Sequence, residues 1–221
     1  MPKILLTWIT GWLGSALEKK YESQGFIVVW FSRDNSTYIA LDLTKRESIE
    51  LAAENIQKNN PDFDIIIHCA GDGEAEKFTD MWYDDAQENF SLNAIWPMYL
   101  TKLLLEDIKR NNADVVCIWA TIALKWYENF MVYSSAKWWF RWFVENLRLE
   151  LKNTRCRVIA IYPGWMITQG NEKRLTQISA ITGKEGNLQS HMNPNDIAEL
   201  IYHTTITPKN IEVSEVIINR K

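Results

Sequence analysis

The sequence predicts one α/β domain over residues 1–221, a doubly wound parallel sheet flanked by helices. Three observations predict it. Short apolar runs alternate with helical stretches from one end of the chain to the other. The runs are apolar at nearly every position, so both faces of each strand are expected to be covered, as in a parallel sheet between two helical layers. No linker, repeat or low-complexity stretch divides the 221 residues, which suffice for one large core. This is the Rossmann-type arrangement, in which ligands bind beyond the carboxyl ends of the strands.

The elements follow in order. Lys3–Thr7 is a short buried strand. Leu13–Gln24 has helical periodicity and stops at Gly25, the residue type that most readily ends a helix. Phe26–Phe31 is the second strand. Lys45–Lys58 is an amphipathic helix with Thr44 as its N-cap, closed by Asn59-Asn60-Pro61. Asp64–Cys69 is the third strand, Asp84–Arg110 is mostly helical, and Asp114–Trp119 is the fourth strand. Met131–Lys152 is a long helix. Cys156–Tyr162 is the fifth strand, stopped by Pro163-Gly164. Pro194–Thr204 is a helix capped by Asn193, and Val213–Ile218 is the last strand. Gly164–Asn193 is the one long irregular stretch. It contains Gly170, Gly183 and Gly186 and leaves the carboxyl end of a strand, so 164–193 is read as a substrate lid.

Composition narrows the function. The net charge of -4 gives no electrostatic footprint for nucleic acid or an anionic membrane. No run is apolar and long enough to span a bilayer. The chain enters its first strand without a leader pattern, and a cytoplasmic protein is expected. Cys69, Cys117 and Cys156 lie in or beside apolar runs and read as buried thiols. His68, His191 and His203 lack metal-ligand spacing, so no metal site is expected. Two counts are unusual together: 11 tryptophans and only 9 glycines, where average usage would give about 15 glycines.

Tyr133 and Lys137, in "YSSAK", open the long helix and share one face four residues apart. A lysine cation beside a phenol favours phenolate and lowers the tyrosine pKa from about 10 toward neutrality, which makes a general acid–base.

With these residues the chain resembles the short-chain dehydrogenase/reductase family over essentially its whole length. "TWITGWLG" (7–14) stands where the family has Thr-Gly-x-x-x-Gly-x-Gly, and "HCAG" (68–71) where Asn-Asn-Ala-Gly follows the third strand. "SLNAIWP" (91–97) carries the helix asparagine, "YSSAK" (133–137) the Tyr-x-x-x-Lys, and "PGWMIT" (163–168) the Pro-Gly segment. The resemblance implies an oxidoreductase moving a hydride between NADP(H) and a small carbonyl or alcohol. Tyr133 would protonate the carbonyl oxygen. Lys137 would bind the nicotinamide ribose and tune Tyr133, and Asn93 would hold a water in the proton relay. The implied cofactor site takes Thr7, Trp8, Gly11, Trp12, Leu13 and Gly14 from the first loop, and Ser32, Arg33, Asp42 and Leu43 from beyond the second strand. Cys69, Ala70 and Gly71 follow, then Asn93, Tyr133 and Lys137, and finally Pro163, Gly164, Met166 and Thr168. NAD-specific relatives place an acidic residue after the second strand. Ser32-Arg33 suits a 2′-phosphate instead, so NADP(H) is expected over NAD(H). A dimer through the two long helices is expected, with a tetramer as the alternative.

The chain departs from the family in three places. The catalytic serine should lie thirteen residues before Tyr133, and that position is Ala120; the adjacent Thr121 is the candidate hydroxyl. "HCAG" lacks the asparagines. Finally, Trp8, Trp12, Trp96 and Trp126 fall on family glycines, and Trp119, Trp138, Trp139 and Trp142 on small-residue positions. UGA encodes tryptophan in one variant genetic code and glycine in another. A gene from a UGA-glycine lineage read with the tryptophan table would give this pattern. Reverting about ten tryptophans would bring glycine to about 19, slightly above average usage. Two further readings stand beside the reductase. One is a non-catalytic protein of the same fold in which Trp8, Trp12 and Ala120 are real. The other is a sugar-nucleotide epimerase-like enzyme, because "TWITGWLG" also fits Thr-Gly-x-x-Gly-x-x-Gly.

Overall fold

The computed structural model describes residues 1–7, 11–32, 39–42, 45–125, 127–185, 187 and 191–221. Trp8, Arg33, Leu43, Thr44, Trp126 and Gly186 lie outside the described residues, as does the side chain of Ser32.

The strands are β1 (Lys3–Thr7), β2 (Ile27–Ser32), β3 (Ile39–Ala40), β4 (Ile65–His68), β5 (Asp114–Ile118), β6 (Val158–Pro163) and β7 (Glu215–Ile218). They form one sheet in the order β3-β2-β1-β4-β5-β6-β7, every pairing parallel. The fold is the expected Rossmann-like one. The two-residue edge strand β3 is the addition, too short to leave a signature in sequence. The order reverses between β1 and β4. The loops leaving their carboxyl ends part there and open a crevice.

Alternation within the apolar strands divides the core. Leu5, Ile66, Val115, Cys117 and Ala160 face one layer, packed with Ala52 and Ile56 of α2 (Arg46–Asn59), Leu100 of α4 (Trp96–Leu103) and Phe140 and Val144 of α6 (Met131–Leu151). Ile4, Leu6, Ile65, Ile67, Val116 and Ile159 face the other. They pack with Leu17 and Tyr21 of α1 (Trp12–Ser23) and Ile197 and Ile201 of α8 (Pro194–Thr205).

Two expectations are corrected and a third is refined. The N-cap of α2 is Lys45, one residue after Thr44, and no side chain caps it. The helical stretch after β4 is broken into α3 (Tyr83–Phe90), a π-turn over Ser91–Ile95, α4 and α5 (Leu105–Asn111). Pro97 has no N–H to give the carbonyl four residues back, and the helix passes Asn93 in the wider π geometry. The 164–193 stretch is not irregular, because it contains α7 (Gln169–Thr182). Thr168 caps α7 by accepting from the Asn171 N–H, and Gly183 ends it at φ 70°. Only Asn171 of that helix is fully buried, and its short apolar stripe packs Ile178 and Ile181 against Ala75, Ile122 and Phe130. Both ends of the stretch are joined at the base. Met166 and Met192 form a parallel bridge, with Ile167 N–H to Met192 O at 2.9 Å and Met192 N–H to Trp165 O at 3.0 Å.

Candidate active site

A cavity of about 380 Å³ lies over the carboxyl ends of β4, β5 and β6. The N-terminus of α1 closes one end with Gly11, Trp12, Leu13 and Gly14. The first turns of α6 bring Tyr133 and Lys137 to the other. Cys69, Gly71, Thr121, Pro163, Gly164, Met166 and Thr168 also line it, so most of the residues named from sequence converge on one space. Thr7, Ala70 and Asn93 stand behind the wall. Thr7 is fully buried and accepts from the Cys69 and Ala70 N–H groups (2.9 and 3.3 Å), which ties the end of β1 to the loop leaving β4. Asp42, half-buried, donates from its backbone N–H to Ser48 Oγ (2.8 Å) at the start of α2, away from this cavity.

Lys137 is 2% exposed, and among the described residues its ammonium has neither a hydrogen bond nor an ion pair. Burial pushes its pKa down to about 8. Asn93 is positioned by the π-turn. Its Nδ2 donates to Asp72 O (2.6 Å) and to Asn89 O (3.0 Å), and its Oδ1 is buried with no partner. The two unmet groups converge on Gly71. A Cβ placed there would lie 2.7 Å from Lys137 Nζ and 2.9 Å from Asn93 Oδ1. A lone cationic donor beside a lone acceptor suits a ribose edge, whose hydroxyls both donate and accept. The residues therefore fit a nicotinamide ribose at this end.

The pKa of Tyr133 corrects the sequence reading. Burial holds the phenol above its usual value, the Arg174 cation opposes that rise, and Asp72 adds to it. Lys137 lies over the ring, 5.7 Å from its centroid, rather than at the hydroxyl, so it does little to lower the pKa. Thr121 begins a 3-10 turn (Thr121–Ala123) directly after Ala120. Its hydroxyl is 3.5 Å from Tyr127 Oη, which puts two hydroxyls on the wall where the family serine is missing.

The sequence reading missed a strap over Tyr133. Gly73 packs on the phenol so closely that a Cβ would overlap the ring. Arg174 of α7 reaches back to the strap, donating from Nε to Gly73 O, pairing with Asp72, and lying 5.6 Å from the Tyr133 centroid. These contacts join residues about a hundred positions apart, so no local pattern could have revealed them.

Trp12 occupies the first turn of α1 in ordinary helical backbone, with no positive φ. It is 45% exposed and lines both the main cavity and a second one of about 410 Å³ at the same helix end. Helix N-termini favour phosphate groups.

Residues 14–179 match the short chain dehydrogenase family. The chain belongs to that family. It is thus a short-chain dehydrogenase/reductase oxidoreductase of alcohol and carbonyl substrates, with the family's nicotinamide cofactor. An NADP-dependent 3-hydroxy acid dehydrogenase of Schizosaccharomyces pombe is 25% identical over 182 residues, 81% of this chain and 70% of that one. An alcohol dehydrogenase of Thermococcus sibiricus, complexed with 5-hydroxy-NADP, superposes with a TM-score of 0.86 at 19% identity, over 99% of this chain and 96% of that one. A 3-ketoacyl-(acyl-carrier-protein) reductase of Brucella melitensis, complexed with NADH, gives 0.84 at 19% identity, over 98% and 96%. No helix among the described residues is long and apolar enough to cross a membrane.

The buried ammonium gives a test in this short-chain dehydrogenase. Its native pKa of about 8 lies below the unfolded value of about 10.4. The native state therefore binds fewer protons between those values, and its stability rises with pH there. The cost of charging Lys137 is whole below about pH 8 and gone above about pH 10.4. Lys137→Met should stabilise the cofactor-free protein at neutral pH by up to about 3 kcal/mol. That gain should shrink to nothing through this window, read by urea unfolding at a series of pH values. A gain independent of pH would show that the ammonium is not strained by burial.

Proposed function

We propose that this chain is an NADP(H)-dependent reductase of small carbonyl compounds, and the corresponding alcohol dehydrogenase in reverse, with Tyr133 as general acid and base. One observation carries the reading. A buried, unsatisfied ammonium and a protonated phenol sit together at one end of a cavity that begins at a helix N-terminus. The raised pKa of Tyr133 keeps its proton in place, the state from which a general acid starts a reduction. Tyr133 Oη gives that proton to the oxygen on which charge develops. Thr121 and Tyr127 supply hydroxyls to the same oxygen. Lys137 holds the ribose hydroxyls, and the Arg174 cation favours the phenolate left behind. Asn93, its amide clamped by Asp72 O and Asn89, holds the water through which Tyr133 regains a proton. The nicotinamide, when bound, supplies or accepts the hydride. Residues 164–193 act as the lid, with α7 over the site. The NADP-dependence of the Schizosaccharomyces pombe relative supports the Ser32-Arg33 reading of the cofactor.

We propose further that the natural protein has glycine at Trp8, Trp12 and most other tryptophan positions. Trp12 lines the cavity beside the N-terminus of α1, and the buried indole N–H of Trp96 has no partner among the described residues. If the tryptophans are native, the non-catalytic reading gains.

In the chain carrying Trp8→Gly and Trp12→Gly, Tyr133→Phe should lower reduction of a carbonyl panel by about 100-fold or more while NADPH still binds, measured by NADPH oxidation. Activity within a few-fold of the parent would rule out its role. Arg33→Ala should weaken NADPH about 10- to 100-fold, through loss of a charge-assisted phosphate contact. NADH should be little affected, and equal losses would show that Arg33 does not read the phosphate. The written chain should bind NADPH poorly, and Trp8→Gly with Trp12→Gly should tighten it about 100-fold or more as backbone amides regain the pyrophosphate. Calorimetry checks this. Tight NADPH binding by the written chain would overturn the steric argument. The codons at the tryptophan positions, or the mass of the natural protein, decide the residue identities directly.

A further inference from the structure

We propose that the substrate of this reductase carries a carboxylate close to its carbonyl, and that Arg174 binds that carboxylate. The inference rests on the reductase reading above and adds the substrate class.

Charge is scarce in the cavity. Among its described lining residues only Lys137, Arg174 and Asp72 are ionic. The substrate end is otherwise built of Ile122, Tyr127, Phe130 and Trp165. With Lys137 assigned to the ribose, Arg174 is the cation left facing the substrate. Its side chain is 13% exposed. Nε donates to Gly73 O, Nη1 to Asn171 Oδ1 at 2.6 Å, and Nη2 pairs with Asp72. A guanidinium has five N–H donors, so one on each Nη remains uncommitted among the described residues. That is the pair a carboxylate takes in a two-point contact. Asp72 is 48% exposed and shares its charge with water, so the buried cation is only partly neutralised.

A purely structural role for Arg174 would be to fasten α7 to the strap. Other contacts already do so without entering the cavity. Lys173 pairs with Glu74, Gln177 Nε2 donates to Glu74 Oε2 (3.1 Å), and the Ala75 N–H donates to Gln177 Oε1 (3.0 Å). Arg174 is the member of this set that lines the cavity. Its guanidinium carbon is 5.6 Å from the centre of the ring whose hydroxyl donates the proton. A carboxylate on Arg174 and a carbonyl at Tyr133 must then lie within a few bonds of each other. The substrate class is a short oxo acid, with the matching hydroxy acid as product. The carboxylate is bound and not consumed.

Acetoacetate and its methyl ester are the kinetic probes. The parent should favour the acid in kcat/KM. Arg174→Met should lower the acid-to-ester ratio by about 10- to 100-fold, and Arg174→Lys should keep part of it. Asp72→Asn should raise the ratio by freeing the guanidinium. A merely structural pair would instead lose activity toward both probes with either substitution. Binding gives a readout without turnover. Butanoate and butanamide, titrated with and without NADP+ and followed by tryptophan fluorescence, should differ by about tenfold or more in favour of butanoate. Arg174→Met should abolish that difference. If the parent reduces the ester but prefers neither form, and binds butanoate no better than butanamide, the inference falls and the reductase reading stands. If the parent reduces neither probe with NADPH or NADH, the reductase reading falls, and the butanoate comparison still decides whether Arg174 holds a carboxylate.

Discussion

Burying the Lys137 ammonium costs free energy that the described protein does not recover, because no carboxylate or carbonyl meets it. The surrounding elements keep that charge where it is. The long helix α6 fixes its stem, the loop after β4 presses Gly71 against its tip, and the π-turn holds the Asn93 oxygen beside it. Such a group destabilises the empty protein and stabilises the occupied one, since a ligand that hydrogen-bonds it is favoured by what was lost on burial. Tyr133 is governed by the same desolvation with the opposite sign. The low-dielectric wall that weakens a cation's hold on its proton strengthens a phenol's.

The tryptophans conflict with this economy of polar groups. Trp96 packs edge-on against His68 at 5.5 Å between centroids, and the indole N–H and His68 Nδ1 are both buried without partners. Trp119 fits against Phe140 and Tyr162. Each unmet buried group costs about 1–3 kcal/mol. Trp138, Trp139 and Trp142 instead stand exposed on α6, at 38%, 45% and 62%.

The sheet was legible because a strand buried on both faces is apolar throughout, and six such runs bounded by turn residues leave few other folds. Tyr133 and Lys137 were legible because a helix fixes the geometry of residues four apart. The Ala120 gap was visible, and the turn that brings Thr121 onto the wall follows it directly. What sequence could not show depends on contacts across the chain. Nothing local in Gly73 says that a phenol lies on it. Nothing in Arg174 or Asp72 says that they meet. The apolar residues of α7 are confined to its second half, Leu175, Ile178 and Ile181, which is a short signal inside a glycine-containing stretch. The direction of the Tyr133 shift was misread because proximity to Lys137 was considered without the desolvation both groups share.

The Met166–Met192 bridge has a consequence for how such a protein can change. It joins both ends of an excursion of more than twenty residues before that excursion contributes anything to the sheet. Lengthening or rewriting the intervening segment alters a loop whose closure entropy grows only slowly with length, and the anchorage of β6 is unaffected. The phenol and the ammonium are fixed by the scaffold, while Gln169, Asn171 and Arg174, which also line the cavity, belong to the excursion.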